Sequence, residues 1–141
     1  MKRFPELRQL SEDHHHGLVL ARRARQADRN LESIRMIWQE VAEKFRLELE
    51  PHFHIEEQFL APPLVALGET KLTRRFNREH RQLRKLVKNQ NEWSLATLLQ
   101  FGELLEKHIR FEERELFETA QKRLSVDDLK TIEQAGRNLK K

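Results

Sequence analysis

The chain has 141 residues, 35% of them charged and 38% hydrophobic, with a net charge of +4 and no cysteine. That length suffices to bury a single core without covalent staples, and the lack of thiols excludes disulfides and thiolate metal sites. No apolar run reaches signal-peptide or membrane-spanning length, so the expectation is one soluble cytoplasmic domain over residues 1–141 with no membrane partner.

The dense charge suits exposed faces of long helices, and four glycines and four prolines leave few turns. Leu7, Leu10, His14, Leu18 and Ala21 recur at intervals of three or four and mark one face of a first helix from about Pro5 toward Asn30. The second stripe is Ile34, Trp38, Val41, Phe45, Leu49, His52, Glu56 and Leu60, and "APPLVALG" is expected to stop it. Pro51 lies inside this stripe and lacks a backbone donor, which predicts a kink just before His52 or a break there. The third stripe follows Gly68 with Leu72, Phe76, His80, Leu83 and Val87. The fourth is Leu98, Phe101, Leu105, His108, Glu112 and Leu116. "LSVDDLKTIEQAG" then predicts a short helix with Ser125 as N-cap, three residues before Asp128. Four amphipathic stripes with short connections predict an all-α, up-down-up-down four-helix bundle with a short fifth C-terminal helix. Trp38 fits the core, whereas Trp93 sits in the connection "NQNEWSL", placed either to cap the bundle end or to meet a partner; the oligomeric state stays open.

Every long stripe carries a histidine on its apolar side. In "HFHIE", His52 and Glu56 lie about 40° apart around a helix and point the same way, and "HIRFE" repeats this with His108 and Glu112. The order is His14, then His52 with Glu56; His80, then His108 with Glu112. These six side chains would converge in the bundle centre, where each unsatisfied polar group costs about 1–3 kcal/mol. A pair of metal ions removes that cost, and imidazole with carboxylate suits iron, manganese or zinc. A lone histidine on an apolar face is usually an ordinary core residue; four in phase, two with glutamate at one offset, are not.

The neighbours separate by phase. His14 continues the Leu10–Leu18 stripe, while His15 aligns with Ser11 and Arg22 and is the reserve ligand. His16 reads as a surface residue and His54 as outward-facing. Glu57 and Glu113 are rotated about 140° from His52 and His108, which places them in solvent or behind the ligands.

In order, "EDHHHGL", "PHFHIEEQFLAP", "REHRQL" and "HIRFEERELF" resemble the helix signatures of the hemerythrin-like (HHE cation-binding) domain, over nearly the whole chain. The resemblance implies a non-haem, carboxylate-bridged di-iron centre, with His14 and His52 on one iron, His80 and His108 on the other, and Glu56 and Glu112 bridging. Oxygen-carrying members have a further histidine one turn before the position of His80. Phe76 stands there instead, which leaves the second iron a ligand short and argues against reversible oxygen carriage. Members that repair iron centres carry a cysteine-containing N-terminal segment, and sensor members are fused to output domains; neither feature is found in this sequence. The expectation is a stand-alone module that binds or senses oxygen, nitric oxide or peroxide, or handles iron. The alternative is a di-iron enzyme of oxidative or nitrosative stress defence that turns over peroxide or nitric oxide, for which no separate acid or base is assignable. Zinc or manganese accepts the same donors. "KLTRRFNREHRQLRKLVK", residues 71–88, reads as a solvated face around a core stripe, so nucleic acid is not an expected partner.

Overall fold

A computed structural model of the chain describes residues 2–27 and 30–139, and all regular structure among them is helical. The first helix, α1, spans Pro5–Arg25. A long run follows, in which α2 (Leu31–Lys44), α3 (Glu50–Ile55) and α4 (Ala61–Ala66) are joined by π-helical turns at Phe45–Leu49 and Glu56–Leu60. Helix α5 covers Thr70–Lys88. A last long run joins α6 (Leu95–Phe111) to α7 (Phe117–Arg123) through a π-helical turn at Glu112–Leu116, and α8 (Val126–Leu139) closes the chain.

One expectation needs correction and two take a particular form, each for a local reason. Helix α1 stops short of Asn30, which instead caps α2: its side-chain oxygen accepts from the backbone N–H groups of Glu32 and Ser33 at 2.9 and 3.2 Å. The second run does not break at Pro51. A π turn ends at Leu49, two residues earlier, and its wider ring leaves room for the pyrrolidine that a regular α-turn would crowd. "APPLVALG" stops the run as expected, but at its end: Pro62 and Pro63 do not break it, because they occupy the first turn of α4, just after the second π turn, where a missing N–H costs least. The helix ends at Leu67 and Gly68. Gly68 adopts φ 88° and donates to Val65 O at 2.9 Å, and Glu69 N–H donates to Leu64 O at 3.0 Å, a Schellman closure that requires glycine there. The fifth helix starts as predicted, with Asp128 N–H donating to Ser125 Oγ at 3.1 Å.

Partner residues show how the runs lie. Arg3 meets Gln121, Ser11 meets Glu113 and Gly17 faces Ile109, so α1 runs antiparallel to α6 and α7. The second run is antiparallel to α1, with Asp13 near His52 and Arg23 near Glu40. It is likewise antiparallel to α5, with Glu50 on Arg84 and Glu57 on His80. Helices α1 and α6 approach closely at two glycines: a Cβ on Gly102 would sit 2.7 Å from Ala21 O, and one on Gly17 would sit 2.8 Å from Ile109 Cδ1.

Two apolar clusters fill the interior. One gathers Trp38, Phe45, Phe53, Leu83, Phe101 and Leu105; the other gathers Leu10, Leu64, Phe76, Phe117 and, from α8, Leu129 and Ile132. Trp93 packs on the first cluster, its ring 5.1 Å from Trp38 and within 1° of parallel, with its indole N–H on Val87 O at 3.2 Å. It therefore caps that end of the core. The buried polar residues of the histidine-bearing stripes lie between the two clusters, with the His80 ring against Phe53 of the first and Phe76 of the second.

Candidate metal centre

His14, His52, His80 and His108 are all buried, as are Glu56 and Glu112, which are both 0% exposed. Of the neighbours weighed against them, His15, His16 and His54 are exposed. The imidazole Nε2 atoms point inward onto the two glutamates. His14 Nε2 is 2.7 Å from Glu112 Oε1, and His52 Nε2 is 3.3 Å from Glu56 Oε2 and 3.7 Å from Glu112 Oε1. His80 Nε2 is 3.5 Å from Glu56 Oε1 and 3.6 Å from Glu112 Oε2, and His108 Nε2 is 2.9 Å from Glu112 Oε2. Each glutamate therefore turns one oxygen toward the His14–His52 pair and the other toward the His80–His108 pair. Two four-residue groups result, His14, His52, Glu56, Glu112 and Glu56, His80, His108, Glu112, each with its ligand atoms within 4.8 Å of one another.

This interior is not satisfied by its own hydrogen bonds. Nε2 of His52, His80 and His108, both oxygens of Glu56 and Oε2 of Glu112 are buried with no partner; His108 Nε2 and Glu112 Oε2 are close without hydrogen-bond alignment. Orphaned buried groups are expensive, and here they face one another. Separations of 2.7 to 3.7 Å between nitrogen and oxygen match donors bound to one ion at lengths of about 2.1 Å. The donor set therefore fits metal ions.

Behind every imidazole stands a carboxylate. Nδ1 of His14 lies 3.2 Å from Glu113, that of His52 3.2 Å from Asp13, that of His80 2.7 Å from Glu57, and that of His108 2.8 Å from Glu79. An ionised carboxylate only accepts, so each takes a hydrogen bond from Nδ1–H of its imidazole, and once the ring gives up its second proton to a metal the Nε2 lone pair faces inward. The sequence reading placed Glu57 and Glu113 in solvent or behind the ligands, and they stand behind them. It missed Asp13 and Glu79. The available signal was a repeat: Asp13–His14 recurs as Glu79–His80, just as His52-x-x-x-Glu56–Glu57 recurs as His108-x-x-x-Glu112–Glu113.

Similar contacts surround both halves, from residues that do not correspond in the repeat. Phe117 stacks on His14 at 5.2 Å and carries Arg3 over its ring, and Phe53 stacks on His80 at 3.8 Å and carries Arg84 over its own. Arg3 also reaches Glu113 and Arg84 also grips Glu57, with two bonds of 2.6 and 3.0 Å. One turn before His80 stands Phe76, fully buried and 4.1 Å from the His80 ring; one turn before His14 stands Leu10, buried in the same cluster. Both halves thus present an apolar wall at that position.

Burial alone would depress the imidazoles, but the surrounding carboxylates outweigh it. His80 is held up to about 10 by Glu112, Glu56 and Glu57, and His14, His52 and His108 are raised for the same reason. Glu57, despite its burial penalty, is lowered to about 2 by His80 and Arg84, and Glu112 is held well below the usual carboxylate range by His108 and its other neighbours. Without metal the centre is a network of imidazolium and carboxylate. Beside it, a surface cleft of about 220 Å³ reaches Asp13 and His52 between α1, the second run and the end of α8.

The family model described as the hemerythrin HHE cation-binding domain matches residues 5–120, ending before α8. No curated protein and no solved structure matches the chain.

Proposed function

Because the chain belongs to the hemerythrin HHE cation-binding domain family, we propose that it is one up-down-up-down four-helix bundle domain holding two iron ions between its helices. His14 and His52 would hold one ion, His80 and His108 the other, with Glu56 and Glu112 shared between the two groups. The observation that carries this reading is the set of buried, unpartnered Nε2 and carboxylate oxygen atoms that face one another across the two groups. When bound, such a pair supplies two redox-active Lewis acids to a small ligand such as oxygen, nitric oxide or peroxide.

The chain's own residues set the terms of that binding. Asp13, Glu57, Glu79 and Glu113 keep the protons on Nδ1 and hold the rings in place. Phe76 and Leu10 offer neither a ligand nor a proton, so the apolar wall they form beside the imidazoles would favour a small uncharged guest over a charged one. The ligand shortage expected at Phe76 is then shared, with two histidines on each ion. This favours a protein that binds or senses a small ligand over a catalyst that needs its own acid or base. Zinc or manganese fits the same donors, and metal supply decides among them.

The test is elemental analysis of protein from iron-supplied cells, with an absorption spectrum. About two irons per chain are expected, and His52→Ala and Glu112→Ala each abolish stoichiometric loading. Unchanged metal content in both variants would falsify the ligand assignment.

A further inference from the structure

The outer face of α5 carries a row of cations that the metal centre does not use. Lys71, Arg74, Arg78, Arg81, Lys85 and Lys88 are all exposed and recur at alternating intervals of three and four residues. On a helix this places them within an arc about 100° wide and along a line about 25 Å long, opposite Phe76, His80 and Leu83. None of the six has an ion-pair partner among the described residues, although the other two arginines of α5 do: Arg75 binds Glu79 and Glu115, and Arg84 binds Glu50 and Glu57. Some exposed arginines elsewhere are paired, Arg23 with Glu40, Arg46 with Glu43, Arg110 with Glu106 and Arg123 with Glu69, while Arg8, Arg22, Arg35 and Arg114 have no ion pair among the described residues. What sets α5 apart is that its unpaired cations fall in one row. Within the solvated face expected for residues 71–88, the cations are therefore sorted into a paired flank and an unpaired outer row. Like charges three and four residues apart repel by a few tenths of a kcal/mol per pair, so the row stands against local helix stability.

The surroundings select the partner. No large apolar side chain is exposed on α5. An amphipathic membrane surface needs such residues to insert, and a protein partner needs apolar or aromatic anchors at the centre of its interface. A polyphosphate needs only evenly repeated cations and a few neutral donors. Asn77 and Gln82, both exposed, flank the row on either side. Three of the carboxylates that hold the formal net charge to +4, Glu56, Glu79 and Glu112, are buried and do not offset the row at the surface. We propose that the outer face of α5 docks on the phosphate backbone of a nucleic-acid duplex, without reading its bases.

The experiment is fluorescence anisotropy of a short random-sequence DNA duplex titrated with the metal-loaded protein at two salt concentrations. For about four neutralised phosphates, affinity is expected to fall about 100-fold between roughly 50 and 200 mM salt. The triple variant R74Q/R78Q/R81Q should bind at least about 10-fold more weakly at the lower salt and show a shallower salt slope. A control with the same loss of charge off the row, R22Q/R46Q/R137Q, should stay close to wild type. Metal content and helicity, measured on both, verify that the fold is intact. Absence of binding at low salt overturns the proposal, as does equal weakening of the two triple variants. Binding to phosphatidylserine vesicles but not to the duplex overturns it in favour of a membrane surface.

Discussion

Glu57 shows how much one carboxylate does at this centre. Its Oε2 accepts the hydrogen bond of His80 Nδ1 at 2.7 Å, and Arg84 holds it with two bonds while lying over Phe53, which itself stacks on His80. Glu57→Gln keeps the shape and an acceptor oxygen but removes the charge that makes the imidazole a strong donor to metal and that anchors Arg84. The expected result is about a 10- to 100-fold loss of metal affinity in competition with a chelator, with the helical content unchanged. Metal affinity equal to wild type would show that the carboxylate does not tune the ligand. Glu113, the counterpart beside His14, is held by Ser11 at 2.8 Å and by Arg3 and should respond in the same direction.

At the level of elements, the contact of α1 with α6 sets where His14 stands relative to Glu112. Gly102 permits that contact, since an added Cβ would press on the backbone oxygen of Ala21, which cannot rotate away. Alanine favours a helix over glycine by about 1 kcal/mol, but overpacking against a backbone costs about 1–3 kcal/mol and requires the helices to part. Gly102→Ala is therefore predicted to lower the urea midpoint and to weaken metal loading. Gly17→Ala is predicted to be close to neutral, because its added methyl meets only the tip of Ile109, a side chain that can change rotamer. If both substitutions were equally tolerated, the helices would have freedom that the Gly102 contact denies them. The π turns belong to this scale too. Two precede prolines, but the third, at Glu112–Leu116, has no proline after it; what it shares with the second is a first residue that is one of the two inward glutamates.

For the whole molecule, the charge network makes metal-free stability depend on pH in a defined direction. His14, His52, His80 and His108 bind protons more tightly folded than unfolded, so their contribution is complete below about 6.5 and is lost as pH rises, for His80 through about 10. Glu57, Glu79, Glu112 and Glu113 act oppositely: their contribution is complete above about 4.5 and is lost on acidification, for Glu57 down to about 2. Metal must displace the imidazole protons, so its stabilising effect grows as pH rises. Thermal unfolding at pH values of about 5.5 and 8.5, with and without anaerobic iron(II), is expected to show a lower metal-free Tm at the higher pH and a larger rise on adding iron there. A metal-free Tm that climbs over this interval would contradict the network.

Much of this was readable in the chain before any coordinates. The inward set His14, His52, Glu56, His80, His108 and Glu112 follows from phase around a helix, a local property fixed by residue spacing, and the same logic turned His15, His16 and His54 outward. The end of α1 and the form of the chain at Pro51 were not legible because capping oxygens and π turns are choices between near-equal local conformations that packing decides. Only the tertiary structure determined which carboxylate backs which imidazole, as with Asp13 behind His52 and Glu79 behind His108, and how each glutamate divides its oxygens between the two histidine pairs. Those partners sit on different helices. Their register is set by how closely the helices approach and slide, at contacts such as Gly102 on Ala21, and no periodicity within one helix encodes it.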